Sequence, residues 1–411
     1  LLLSRYDRVG LFFYNENDGV VGMLPVRGAS LFPPRVQDFS FALLREIALK
    51  EDTNVLLSPL SLSVALAVLL GGACEETEVV LKTLLGFPEY SATEVSKMWA
   101  ELLGNTRIVG ADSSVTLSVA CALWGQEGIA FQEAFLEEAG NLFDAHLETL
   151  NFREPGALER INAWVRERTE GHVEQLLEKL HPEDVLVLTS AVFLKALWTQ
   201  AFDPKRTQDA PFVLPSGEKK NWPMMEGTGD FPYFENELLQ MVALPYGRDR
   251  RIRMCFLLPR EGIPLGDLLG VLSAKTWGTW RSALESRRGL VRIPRFTVRY
   301  GGELKDVLSA LGMGILFSPS ASFCRLAHSQ VFVSSVRHGT CIEVDEEGTE
   351  ASGATAVVVS KNSGTPFSFV ADRPFCFLLE DTVTEALLFV GVLVDPQEAP
   401  GKDFPLRERG I

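Results

Sequence analysis

The stretch whose residue types stand out most carries no catalytic side chains. From Glu346 to Ser363 the chain reads Glu-Glu-Gly-Thr-Glu-Ala-Ser-Gly-Ala-Thr-Ala-Val-Val-Val-Ser-Lys-Asn-Ser. Between Thr349 and Ser360 there is no proline and a single charge, Glu350. Successive side chains of a strand point to opposite faces, so one face would carry Thr349, Ala351, Gly353, Thr355, Val357 and Val359. That face has no charge and could be buried in a sheet. The other face carries Glu350, Ser352, Ala354, Ala356, Val358 and Ser360. The side chains are too small to hold a strand by their own packing. Such a segment can exist as an exposed loop or as an inserted strand. As a strand it would span about 40 Å at ~3.3 Å per residue, against about 5–6 residues for an ordinary strand. Its backbone would gain about a dozen hydrogen bonds of about 0.5–1.5 kcal/mol net each, opposed by the entropy of ordering the loop. The plain alternative is a low-complexity linker.

Residues for conventional catalysis are not arranged for it. His146, His172, His181, His328 and His338 show no metal-binding spacing, and no nucleophile elbow or phosphate loop occurs. No cofactor or metal is called for. Asp345-Glu346-Glu347 reads as a hydrated acidic turn rather than a cation site. Cys74, Cys121, Cys255, Cys324, Cys341 and Cys376 are scattered without a CxxC pair and read as buried free thiols. The net charge of −15 disfavours nucleic acid as a partner. The densest basic stretch, Arg248, Arg250, Arg251 and Arg253, reads as a solvated turn. No apolar run is long enough for a membrane helix.

The elements around the segment follow from periodicity. Val36, Phe39, Leu43 and Ile47 repeat at helical spacing after an irregular, Gly-rich stretch over 1–35. Asn54–Leu57 reads as a short buried strand. Ser58-Pro59 then starts a helix that is apolar on most sides and therefore central. A third helix is predicted from Glu76 to Leu85, strands over 115–124 and 185–197, and an amphipathic helix over 157–180. Beyond residue 205 the pattern is mainly β, at 239–246, 252–259, 290–299, 330–345, 375–380 and 386–394, with short helices near 265–282 and 303–311. With no repeat and no composition break between 36 and 396, a single large α+β domain is expected. A polar tail follows over 397–411.

Several of these stretches, taken in order, resemble the serpin family. They are Asn54-Val55-Leu56-Leu57-Ser58-Pro59-Leu60-Ser61, Leu188–Trp198, Leu244-Pro245-Tyr246, Leu258-Pro259, Ile293-Pro294-Arg295-Phe296, Asp372-Arg373-Pro374-Phe375 and Leu388-Phe389-Val390-Gly391. The segment from Glu346 then resembles the hinge of a serpin reactive loop. The resemblance covers about 36–396. It implies three β-sheets surrounded by eight or nine helices, with an exposed reactive loop over about 346–370. It also implies a function: a suicide substrate for a serine protease, which becomes trapped as an acyl-enzyme while the loop inserts into the main sheet. The chain would then not be an enzyme.

The same resemblance assigns positions. The hinge is Glu346, Glu347, Gly348, Thr349, Glu350, Ala351, Ser352, Gly353, Ala354 and Thr355. Its Thr and small residues match inhibitory serpins. The reactive bond falls among Lys361, Asn362 and Ser363. Counting from Gly348 gives Asn362-Ser363; a shift of one residue gives Lys361-Asn362, which would suit a trypsin-like protease. Ser58, Ser61 and His338 match a polar cluster beneath the separating strands, and Trp198 matches the position where the loop enters the sheet. Ser190 stands where relatives commonly carry Asn, and Ala196 where Gly is usual. The expected partner is a serine protease, engaged by a monomer without nucleic acid or membrane. The expected compartment is extracellular, with an intracellular one as the alternative. The rival function is that of a non-inhibitory serpin, a hormone carrier or a collagen-type chaperone.

Overall fold

A computed structural model describes residues 32–50, 53–107, 114–349 and 366–397, with the backbone of three strands before them. Those three are β1 (Tyr6–Asp7), β2 (Gly10–Asn15) and β3 (Gly19–Leu24), which pair as an antiparallel meander. The domain proper follows in the order α1 (Pro34–Ala48), β4 (Val55–Leu57), α2 (Pro59–Gly72), α3 (Glu75–Leu84), α4 (Ala92–Arg107), β5 (Val115–Gln126), α5 (Glu133–Phe143), β6 (His146–Leu150), α6 (Pro155–Arg168) and β7 (Leu186–Leu197). Then come β8 (Gln208–Val213), β9 (Lys219–Glu235), β10 (Leu239–Tyr246), β11 (Ile252–Pro259), α7 (Leu265–Val271), α8 (Ala274–Ser282), β12 (Glu285–Pro294), β13 (Phe296–Glu303) and α9 (Lys305–Leu308). The chain ends with β14 (Val333–Val344), β15 (Gly348–Thr349), β16 (Phe367–Val370), β17 (Phe375–Asp381) and β18 (Leu387–Leu393).

Two sheets sandwich the central helix. One has the order β13-β14-β7-β5-β6, with β15 also on β7. The other runs β16-β12-β9-β10-β11-β17-β18-β4, with β8 on β9. The two smaller sheets expected beside the main one are joined through β9, whose two ends have different partners. As the sequence predicts, α2 is central. Pro at its first position and Ser58 as its cap start it, and nearly every side chain is buried. It packs on β5 and β7 on one side and on β18 on the other. Alternation along β7 serves both faces of its sheet. Leu186, Leu188, Val192, Leu194 and Ala196 join the main core, while Val187 and Ala191 meet α6 through Ile161, Trp164 and Val165.

Several expectations are corrected. The helix predicted over 157–180 stops at Arg168, because Glu170 and Gly171 take left-handed backbone angles (φ 51° and 85°). Val173, Leu176 and Leu177 keep a helix-like spacing but lie as a strap over the sheet, with Asn162 bonding the backbone of Leu176 and Leu177. The strand expected over 290–299 is two strands in different sheets, parted at Arg295. The six cysteines are not all free. Cys74 and Cys324 form a disulfide with a Cα–Cα distance of 5.9 Å, while Cys121, Cys255, Cys341 and Cys376 are buried thiols. Of the basic stretch, Arg251 and Arg253 turn inward onto the buried carboxylates of Asp381 and Glu380, at 2.6 and 2.5 Å. Only the hairpin at 247–250 fits a solvated turn.

A close backbone approach in the second sheet is at Gly391, where an added Cβ would lie 2.6 Å from the Phe377 ring and 2.7 Å from the Val55 carbonyl. Gly391→Ala should therefore destabilise the fold by about 1–3 kcal/mol, read as a lower urea midpoint. An unchanged midpoint would contradict this packing.

Candidate functional site

The site is the edge of β7 that faces β14. The two strands pair in parallel from Val333↔Leu186 to Cys341↔Phe193. Above that point β14 stays with β13, as far as Phe296↔Val344, and leaves the upper end of β7 open. The chain then reverses. The Asp345 side chain accepts hydrogen bonds from the N–H groups of Glu347 (2.9 Å) and Gly348 (3.0 Å), and Asp345 N–H donates to the Gly348 carbonyl (2.9 Å). The turn delivers β15 antiparallel onto β7, with Gly348 opposite Leu197 and Thr349 opposite Ala196. The start of the predicted hinge is therefore already a rung of the sheet.

Gly348 is required there. Its φ is +145°, and an added Cβ would sit 2.2 Å from the Ala196 carbonyl oxygen. A clasp fixes the turn above it. Trp198 N–H donates to the Glu347 carbonyl (2.9 Å), Phe202 N–H to the Glu346 carbonyl (2.8 Å), and the Trp198 indole to the Asp345 carbonyl (2.9 Å). Trp198 stacks on Tyr246 with ring centroids 4.0 Å apart. Glu346 is buried and accepts from Arg295 (2.5 Å) and Thr207 (2.7 Å). Burial alone would raise its pKa; Arg295 and Thr207 outweigh that and hold it below the usual carboxylate range. The acidic turn is thus turned inward rather than hydrated as expected. Arg295, Thr207 and Tyr246 belong to this clasp although no sequence signal marks them as such; Arg295 lies only in the motif Ile293-Pro294-Arg295-Phe296.

Lower down, the predicted polar cluster is assembled. His338 on β14 and Ser190 on β7 are direct cross-strand neighbours. His338 Nε2 accepts from the Ser58 backbone N–H at 2.9 Å. The neutral ring then carries its proton on Nδ1, which lies 3.3 Å from Ser190 Oγ and donates to it. Ser190 Oγ makes a short hydrogen bond with Ser61 Oγ, and Ser61 N–H reaches the Ser58 hydroxyl at 3.3 Å. All four residues are buried. Ser190 thus keeps the two strands tied to each other and to α2. Ala196 is fully buried opposite Thr349.

Among the predicted site residues, Glu346, Glu347, Gly348 and the backbone of Thr349 are described. Glu350, Ala351, Ser352, Gly353, Ala354 and Thr355 lie outside the described residues, as do Lys361, Asn362 and Ser363.

Residues 34–396 match the family model described as Serpin (serine protease inhibitor). The chain belongs to the serpin family. It is 32% identical over 367 residues to Serpin A3-1 of Bos taurus, 88% of each chain, and 31% identical over 375 residues to Alpha-1-antichymotrypsin of Pongo abelii, covering 88% and 87%. Its structure is similar to human thyroxine-binding globulin, with a TM-score of 0.82 at 25% identity, covering 90% of this serpin and all of that chain. It is also similar to the native state of the thermophilic serpin tengpin, with a TM-score of 0.80 at 26% identity, covering 88% and 93%. The family takes its description from serine protease inhibitors, and the similar proteins include both an antichymotrypsin and a thyroxine-binding protein.

Burial pushes the His338 pKa down from the ordinary 6.5 to about 4. Above pH 6.5 the ring is neutral in both folded and unfolded chains and its contribution is complete. As pH falls from 6.5 towards 4, the unfolded chain binds a proton that the folded one refuses, so stability is lost across that window. The loss is on the order of 3 kcal/mol. His338→Gln should flatten this part of the stability profile when urea midpoints are compared between pH 7.5 and pH 4.5. Parallel profiles for the two proteins would contradict a buried neutral ring.

Proposed function

We propose that this serpin inhibits serine proteases as a suicide substrate, by continuing the strand that β15 begins. The observation that carries this reading is the pairing of Gly348 and Thr349 with Leu197 and Ala196 beside an edge of β7 that β14 has left. Extending the same register would put Ala351 opposite Leu194, Gly353 opposite Val192, Thr355 opposite Ser190, Val357 opposite Leu188 and Val359 opposite Leu186. Directly opposed residues of an antiparallel pair share a face, and these β7 residues face the main core apart from the Ser190 hydroxyl cluster. The uncharged face of the loop would thus meet α2. Glu350 would fall opposite Lys195, an exposed cation on the other face. The loop's polarity agrees with the register at each of these positions.

In the reaction, the protease serine attacks the carbonyl of Lys361 or Asn362, forming an ester to the loop and releasing the amine of the next residue. The cleaved strand end is then free to follow β15 downward. It separates β14 from β7 and carries the tethered protease away before water reaches the ester. The serpin contributes geometry and stored free energy, while the nucleophile is the protease's own. A bond after Lys361 would select a trypsin-like target, whose acidic pocket pairs with lysine. The proposed setting is oxidising and extracellular, where a disulfide such as Cys74–Cys324 forms and persists. The rival reading is a carrier without inhibitory action. The likeness to thyroxine-binding globulin suits it, but the chain is also 31% identical to an antichymotrypsin.

Incubation with trypsin should give an SDS-stable complex with a new loop terminus at Asn362, left by cleavage after Lys361. Cleaved loop with no complex would leave the carrier reading standing. Thr349→Arg places a long cation where the register turns into the core. It should leave loop cleavage intact and raise the stoichiometry of inhibition roughly tenfold, the factor set by about 1.4 kcal/mol in the partition between insertion and release. Unchanged stoichiometry would refute the assigned hinge.

A further inference from the structure

Below the polar cluster, a second set of contacts crosses between the β7 side and the β14 side. β5 is paired with β7 from Val115↔Ala196 down to Gly125↔Leu186, so the segment leaving β5 must move with β7. That segment ends at Phe131 and Gln132, the cap of α5. It meets residues 323–327, which precede β14. Phe131 and Ala327 form an antiparallel bridge. Gln132 N–H donates to the Leu326 carbonyl (2.9 Å), and the Gln132 side-chain amide donates to the Cys324 carbonyl (2.7 Å). Separating β7 from β14 by one strand spacing, about 4.8 Å, would break these bonds if both sides stayed put.

The β14 side is fastened to the helices beneath it. Cys324 is bonded to Cys74 at the start of α3. Cys74 N–H donates to the Ser322 carbonyl (2.8 Å), and Arg325 N–H to the Gly72 carbonyl (3.1 Å). Ser322 N–H donates to the Thr77 hydroxyl (2.9 Å), and Arg325 pairs with Glu78 at 2.7 Å. The covalent bond is the one member of this set that thermal motion does not break.

We propose that the Cys74–Cys324 disulfide is a redox-set latch on the opening of the β7–β14 seam. Oxidised, it pins the Cys324 and Leu326 carbonyls to α2 and α3, so opening must tear them from Gln132. Reduced, residues 323–327 can follow Gln132 for part of the way, and the seam opens faster. The latch rests on the insertion reading, since opening is the step it governs. Cys324 is exposed and Cys74 half-buried, whereas Cys121, Cys255, Cys341 and Cys376 are buried. A dithiol reagent can therefore reach this bond, and the four buried cysteines, already thiols, offer it no disulfide to reduce. One of its thiolates attacks a sulfur of the pair to form a mixed disulfide. Its second thiol then closes the reagent's own ring, leaving Cys74 and Cys324 as thiols after transfer of two electrons and two protons.

The test follows annealing of a synthetic peptide, Thr349 to Ser360, into the full-length intact protein by native gel. Annealing should be about tenfold faster after dithiothreitol, the change expected if one of these hydrogen bonds no longer resists opening. Reoxidation should restore the slow rate, which guards against a variant that fails to fold. Cys324→Ser should match the reduced protein, and Gln132→Ala, with the disulfide intact, should also anneal faster. Equal rates for oxidised and reduced protein would overturn the latch while leaving insertion in place. Failure of the peptide to anneal to any form would overturn the insertion reading and the latch with it.

Discussion

One strand edge has two claimants. The inner edge of β7 is hydrogen-bonded to β14 along its lower part and to β15 at its top. Backbone N–H and C=O groups inside a protein need partners almost without exception, so in the proposed insertion the loop would advance only as β14 gave way, rung by rung. Parallel pairing along β14 is exchanged for antiparallel pairing with the loop on both sides of the new strand. The number of satisfied backbone groups rises, because the loop brings its own. β14 runs directly into a tight turn, so that Gly348 and Thr349 already lie beside the edge that the proposed insertion would fill.

Holding the exchange in check requires contacts that span the two strands without joining them permanently. The polar cluster does this with neutral groups. His338 offers one acceptor to the start of α2 and one donor to Ser190, while Ser190 and Ser61 share a hydroxyl bond. Buried networks of this kind resist partial opening, because a single lost bond leaves an unsatisfied group in a dry interior. At the top, Arg295 and Thr207 on Glu346 fasten the turn from outside the sheet. The clasp therefore sits at the top of the seam and the cluster midway along it, at the His338–Ser190 rung.

Much of this was legible before the structure, and the misses have physical causes. The all-round apolar character of α2 and the Ser58-Pro59 start marked the central helix. The two faces that alternation gives the loop lie beyond Thr349, outside the described residues. The overlong helix over 157–180 arose because Val173, Leu176 and Leu177 cover a sheet face and so preserve apolar spacing after the helix has ended at Arg168. The single strand expected over 290–299 hid a change of sheet at Arg295, since burial on both sides of that residue looks the same in sequence. The disulfide was not legible: 250 residues separate Cys74 from Cys324, and no local spacing ties them together. Arg295 and Thr207 were missed for the same reason, as their partner Glu346 is brought to them only by the turn after β14.

The central claim is that the loop replaces β14 as the neighbour of β7, in the register that Gly348 and Thr349 already set. A crystal structure of the protein cleaved after residue 361 or 362 tests it most directly. It should show Thr355 opposite Ser190 and Val359 opposite Leu186, with β14 displaced to the far side of the new strand. Val336 still paired with Leu188, and the cleaved segment outside the sheet, would contradict the account.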